Sequence, residues 1–242
     1  MKAIELHHLT KHYGNELVIR DISLSINSGE LFSLLGVNGA GKSTLIKMLS
    51  GLLLPTSGKA VILGHDVVKE AKQVKRVIAV SPQETAIAPN LSVYENLDLM
   101  AGVHGFSKSE REQKVAAMMH AFSLTPFTKR RSKTLSGGWK RRLSIAMALI
   151  SEPKILFLDE PTLGLDILAR RELWKVITDL KGKVTIILTT HYLEEAESLS
   201  DRICILKSGE VKAVGTAEEL KSLTAATSFE DAFVTLVEEV AI

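Results

Sequence analysis

Two short stretches carry side chains whose types and spacing suit a phosphorylated ligand. The first is GVNGAGKST at residues 36–44, which fits the pattern G-x-x-x-x-G-K-[ST]. Gly36, Gly39 and Gly41, with Asn38 and Ala40 between them, let backbone amides turn inward around phosphate oxygens. Lys42 can reach a β- or γ-phosphate, Ser43 offers a hydroxyl to Mg²⁺, and Thr44 continues into a helix whose N-terminus adds positive potential. The second stretch is ILFLDEP at residues 155–161, an apolar strand ending in two carboxylates. Asp159 can hold Mg²⁺ and Glu160 can polarise an attacking water. Alone, an Asp-Glu pair after a strand reads as a solvated loop or a helix cap; beside a phosphate loop it reads as hydrolytic machinery. A third stretch, LSGGW at residues 135–139, sets Ser136, Gly137 and Gly138 ahead of a helix as a second anion-binding N-terminus. One nucleotide cannot easily use both loops of the same subunit. Gln83 follows a strand candidate and His191 ends another, both within reach of a water or a terminal phosphate, although in isolation each reads as a capping or surface polar group.

The elements that must hold these residues are legible from periodicity. Ile22, Leu24 and Ile26 alternate with Ser23 and Ser25 before a turn at Ser28-Gly29, the pattern of an antiparallel strand at an edge. LFSLL at 31–35 is continuously apolar, as a strand buried on both faces must be, and leads through the glycine loop into an apolar helix ending near Leu49. Further strands are expected at 59–63, 77–80, 155–159, 184–191 and 202–210. Between 92 and 152 the period becomes helical, with Val93, Leu97 and Met100, then Val115, Met118, Met119 and Phe122, then a third helix over 138–150 closed by Pro153. The expected fold is α/β: a P-loop core with a mainly parallel sheet, an N-terminal antiparallel β region and an inserted helical subdomain. As domains, residues 1–242 form one unit, with 1–91 and 153–224 as the nucleotide-binding core, 92–152 as the helical subdomain and 225–242 as a helical tail.

Composition narrows the function classes. The 242 residues carry 30 Lys and Arg against 28 Asp and Glu, a formal net charge of +2. No electrostatic footprint for nucleic acid stands out, and the basic runs at 129–133 and 140–142 read as solvated helical faces. A single cysteine, Cys204, excludes an intrachain disulfide and a Cys-cluster metal site, which fits a reducing compartment. The apolar runs fall far short of the roughly 20 residues needed to cross a bilayer, and the start MKAIELHHLT lacks the apolar region of a signal peptide. A cytoplasmic location is expected, with any membrane work done through another chain.

Taken in order, GVNGAGKST, Gln83, LSGGW, LFLDEP, Asp166 and His191 resemble the ATP-binding cassette of ABC transporters, from Tyr13 to about Gly215. The resemblance implies ATP and Mg²⁺ as ligands, with Tyr13 stacking on adenine and Val18 packing against the nucleoside; the competing role for Tyr13 is a core aromatic at a strand end. It implies that Gln83 bridges the metal and signals to a membrane partner, that Glu160 is the general base, and that His191 is the γ-phosphate switch. Ser136, Gly137 and Gly138 then contact ATP held by an opposite subunit, and Asp166 communicates between the two sites. The implied partners are a second ATPase subunit, as a homodimer, and an integral membrane permease, with the chain peripheral at the cytoplasmic face of the membrane. WKRRL and THYLEEAE look most like the cassettes of bacterial exporters for drugs, sodium or polysaccharides. A soluble ATPase of the same type acting on DNA or ribosomes is the alternative, disfavoured by the compact 83–136 stretch. One residue departs from the pattern: Trp139 stands where Gln is commonest, and its single N–H cannot accept a hydrogen bond.

Overall fold

A computed structural model describes residues 1–238. The chain runs β1 (Lys2–Tyr13), β2 (Glu16–Asn27), β3 (Leu31–Leu35), α1 (Lys42–Leu49), β4 (Ser57–Ile62), β5 (His65–Asp66), α2 (Ala71–Val77) and β6 (Ile78–Ser81). Three helices follow, α3 (Val93–Val103), α4 (Lys108–Ala121) and α5 (Gly137–Leu149). The remainder is β7 (Ile155–Asp159), α6 (Ile167–Thr178), β8 (Thr185–Thr190), α7 (Leu193–Leu199), β9 (Arg202–Lys207), β10 (Glu210–Gly215), α8 (Ala217–Thr224) and α9 (Phe229–Val237).

A four-stranded antiparallel sheet, ordered β2-β1-β4-β5, packs beside a six-stranded sheet ordered β10-β9-β3-β8-β7-β6. The larger sheet is parallel except at β10, which pairs antiparallel with β9. Its central strands read as continuous apolar runs because both faces are covered. Phe157 and Ile187 point into the cluster shared with β1, β2 and α1, whereas Leu156, Leu158, Ile186 and Leu188 point to the cluster shared with α3, α4 and α5. Successive strand residues face opposite ways, so one strand serves two cores. Ser92 and Ser107 start α3 and α4 with capping boxes closed by Glu95 and Glu110.

The sequence expectations need two corrections. The expected strand over 202–210 ends at Lys207, because Ser208 and Gly209, both with positive φ, make a turn into the separate strand β10. A short helix, α2, precedes β6, so that strand starts one residue later than expected. The tail forms the expected helix, α9, which buries Phe229 with Ile203, Ile205 and Leu220 and packs onto the sheet and α8. Residues 239–242 of the tail lie outside the described residues. Cys204 is fully buried, and desolvation pushes its thiol up to about 12. Among the described residues no helix is long and apolar enough to cross a membrane.

Candidate active site

The phosphate loop leaves β3 at its C-terminal end, at the centre of the large sheet, where open parallel sheets bind ligands. Gly41 takes φ of +102° immediately before α1, a conformation that a side chain would strain. A Cβ there would also lie 2.7 Å from Ile19 Cδ1. A Cβ on Gly36 would lie 2.4 Å from the carbonyl oxygen of Leu206, so the loop can thread between β9 and the helix only with glycine here. The loop is braced from outside by Gly209, whose N–H donates to the Ala40 carbonyl at 3.1 Å and which sits flush against the Val18 backbone. Gly209 was missed in the sequence because the Ser-Gly turn signal was absorbed into a strand.

Residues 38–44 line a cleft of about 420 Å³, closed by Glu16 and Val18 on one side and by Gln83, Glu160, Leu163 and His191 on the other. The first N–H groups of α1 lack helical partners and, with Lys42, make its floor electropositive. Lys42 Nζ donates to the carbonyls of Gly36 at 2.6 Å and Val37 at 3.3 Å, and lies 3.5 Å from Glu160 Oε1. The ammonium is thus held at the loop mouth. Ser43 Oγ donates to Asp159 Oδ1 at 3.2 Å, bringing together two residues 116 apart in sequence. Thr189, unnoticed in the sequence, donates to the same carboxylate at 2.5 Å and also accepts the Glu160 N–H at 3.0 Å. Its signal was the polar Thr-Thr pair ending an otherwise apolar strand.

Glu160 is 6% exposed and holds φ of +48°, a left-handed conformation that costs on the order of 1–3 kcal/mol for a non-glycine residue. Its carboxylate Oε2 pairs with His191 Nδ1 at 2.6 Å. The His191 ring in turn rests on Tyr192, with centroids 4.1 Å apart. The set of oxygen donors formed by Ser43, Asp159 and the nearby Gln83 suits a hard cation such as Mg²⁺, which keeps several phosphate and water ligands. No cluster of three His, Cys, Asp or Glu side chains forms a metal cage among the described residues.

Other sequence candidates lie elsewhere. Tyr13 does not line the cleft; it is 46% exposed at the end of β1, next to Glu16 across the hairpin, with Lys11 Nζ 5.3 Å from its ring centroid. Its role as a core aromatic is excluded by that exposure. Ser136 is the N-cap of α5, so Gly137 and Gly138 begin the helix away from the cleft. Asp166 caps α6, accepting the Ala169 N–H at 2.9 Å. Trp139 packs on Phe127 at 4.6 Å between centroids and lies under the Arg142 guanidinium at 4.6 Å.

A glycine loop running from a central parallel strand into a helix, faced by two strand-end carboxylates, defines a P-loop nucleotide hydrolase. The comparisons make this specific. The ABC transporter family model matches residues 19–163. The phospholipid-transporting ATPase ABCA3 of Mus musculus is 41% identical over 90% of this chain, which spans only 13% of that protein. The doxorubicin resistance ATP-binding protein DrrA of Mycobacterium tuberculosis is 42% identical over 90% of the chain and 67% of its own length. Among solved structures, an ATP binding subunit of an ABC transporter superposes with a TM-score of 0.85 at 32% identity, covering 97% of this chain and 99% of that one. A dimeric post-hydrolysis state of the ATP-binding cassette MJ0796 bound to ADP and Pi gives 0.78 at 28% identity, covering 88% and 98%. The chain belongs to the ABC transporter family, as an ATPase of its ATP-binding subunit type.

Proposed function

We propose that the chain binds ATP with Mg²⁺ in this cleft and hydrolyses it to drive transport through a separate membrane permease, as a homodimer at the cytoplasmic face. The observation that carries the reading is the nearly buried Glu160 carboxylate, oriented by His191 and facing Lys42 at the mouth of the phosphate loop. Glu160 is the general base that takes the proton of the attacking water, and His191 holds that carboxylate in place. Ser43, Asp159 and Gln83 would hold Mg²⁺, which supplies neutralisation of the charge developing on the transferred phosphoryl group. Lys42 and the amides of residues 39–44 orient the phosphates, Val18 borders the nucleoside, and Tyr13 stacks on adenine from the rim of the hairpin.

Two copies arranged head to tail let Ser136, Gly137 and Gly138 of each subunit close the other subunit's phosphate loop, with Asp166 between the sites. This is supported by the apolar side chains beside both loops: Ile167 and Leu168 are 63% and 75% exposed at the start of α6, and Leu163 borders the cleft. Residues 92–152 act as the helical subdomain of one ATPase domain, 1–91 and 153–224 as its nucleotide-binding core, and 225–242 as its tail. The drug resistance relative supports export as the direction; a soluble ATPase acting on DNA or ribosomes finds no support among these relatives.

The test is Glu160→Gln. Gln keeps the shape but cannot take a proton, so hydrolysis is expected to fall by about 10²–10⁴ while ATP binding persists. With ATP trapped, light scattering after size exclusion should give twice the monomer mass. Near-normal hydrolysis by the variant would remove Glu160 from the role of base.

A further inference from the structure

The segment carrying Gln83 is attached to the helices more than to the phosphate loop it faces. Residues 82–92 have no regular secondary structure between β6 and α3. At the start of the segment, Arg141 of α5 donates from Nη1 to the Pro82 carbonyl at 2.6 Å and from Nη2 to the Gln83 carbonyl at 2.5 Å. At its end, Asn96 of α3, fully buried, accepts the Ala88 N–H at 2.8 Å and donates to the carbonyls of Ala88 and Ser92 at 3.2 and 2.9 Å. One turn beyond Arg141, Ser144 Oγ meets Ser81 Oγ at 3.1 Å, on the same face of α5.

Arg141 is an unusual strut. The residue is 4% exposed, yet these two acceptors are neutral carbonyls rather than carboxylates. Burial pulls its pKa below the usual arginine value, opposed by the charge of Asp159. A buried cation tolerates so little relief only where its planar pair of donors fits fixed acceptors, and a guanidinium fits two neighbouring carbonyls as a point charge cannot. The same helix begins at Ser136, five residues earlier.

We infer that Arg141 is a positioning residue that makes the placement of Gln83 in its own subunit's cleft follow the position of α5, the helix that carries Ser136. The inference rests on the reading of Gln83 and Ser136 given above and adds a mechanical link between them. When α5 is drawn toward the opposite subunit's nucleotide, the Pro82 and Gln83 carbonyls travel with it. Hydrolysis in one composite site then depends on closure of the other, through one side chain.

The experiment compares Arg141→Gln, Arg141→Lys and Ser144→Ala with the wild-type chain. Arg141→Gln removes the paired donors, Arg141→Lys can serve one carbonyl, and Ser144→Ala cuts the neighbouring tie without touching Gln83. Loss of positioning of about an ångström costs up to about 10²-fold in rate. Arg141→Gln is therefore expected to lose between about tenfold and 10²-fold in kcat. It should also need more Mg²⁺ for half-maximal activity, while binding of a fluorescent ATP analogue stays unchanged. Arg141→Lys should recover part of the loss, and Ser144→Ala should keep wild-type kcat. Without nucleotide, hydrogen exchange over residues 82–88 should rise in Arg141→Gln while β3 and β7 stay protected. If exchange over 82–88 is unchanged, or if kcat and Mg²⁺ dependence are wild-type in a folded Arg141→Gln, the inference is overturned. Should Arg141→Gln fail to fold, a folded Arg141→Lys with wild-type exchange and kcat overturns it equally. A wild-type chain that does not hydrolyse ATP refutes the proposed function instead, and the exchange measurement still decides the strut.

Discussion

Glu195, on α7 beneath the active-site strands, should hold its proton more tightly in the folded protein than in the unfolded chain, and its replacement separates two effects that usually mix. The side chain is fully buried. One oxygen, Oε1, accepts the Trp174 Nε1–H at 3.0 Å. Oε2 has no hydrogen-bond partner, and neither does the buried Thr162 hydroxyl, although Thr190 and Thr162 stand beside the carboxyl. Desolvation raises the Glu195 pKa above its ordinary 4.5, and the nearby Glu160 charge adds to the rise, against the pull of Thr190, Thr162 and Trp174. A protonated carboxyl can donate toward an oxygen, which a carboxylate cannot. In Glu195→Ala the indole N–H loses its acceptor. An orphaned, partly buried donor costs about 1–2 kcal/mol, and each buried methylene lost about 0.8 kcal/mol. With one methylene lost, the total of about 2–3 kcal/mol corresponds to roughly 4–12 °C in Tm for a chain of this size. Glu195→Gln keeps an acceptor for Trp174 and brings an N–H toward Thr162, without a charge.

The sign of the pH dependence follows from the raised value. Below about pH 4.5 both folded and unfolded chains hold the proton. Above it the unfolded chain releases the proton while the folded one retains it, so wild-type stability falls as pH rises toward the folded value. Each tenfold difference in proton affinity is worth about 1.4 kcal/mol. Glu195→Gln lacks this fall, so its Tm relative to wild type should climb as the pH rises above about 4.5 in thermal unfolding monitored by fluorescence. A variant that differs from wild type by the same margin at every pH would mean that the fold does not raise the Glu195 pKa, and the reasoning fails.

Three further outcomes are expected. If Tyr13 stacks on adenine from the rim, Tyr13→Ala should weaken ATP binding by roughly 1–3 kcal/mol in a titration, and Tyr13→Trp should preserve it. Trp139 packs between Phe127 and Arg142, so Trp139→Ala should lower Tm or weaken the ATP-bound dimer more than Trp139→Gln, which should keep substantial hydrolysis; a folded Gln variant as inactive as Ala would give the indole a direct part in closure. Ser136→Arg and Lys42→Ala homodimers should both be nearly inactive, and mixing them should restore some hydrolysis, because one composite site of the mixed dimer keeps a wild-type Ser136 and a wild-type Lys42.

The chemistry of short range was written in the sequence. A loop such as 36–44 is recognisable because its needs are local: positive φ at Gly39 and Gly41, donors at a helix start, and a strand buried on both faces behind it. The helices over 93–103, 108–121 and 137–149 were legible for the same reason, since their apolar residues recur within one turn of each other. Tertiary structure alone decided which distant groups meet. The sheet order β3-β8-β7 puts Ser43 against Asp159, and Glu160 against His191, because strands adjacent in space are far apart along the chain. Arg141 read as part of a solvated basic run and is buried on the Pro82 and Gln83 carbonyls; Glu195 read as one acid among several and is fully enclosed. Spacing tells which residues share a face, but burial and partner depend on what packs against that face, and no local pattern carries that.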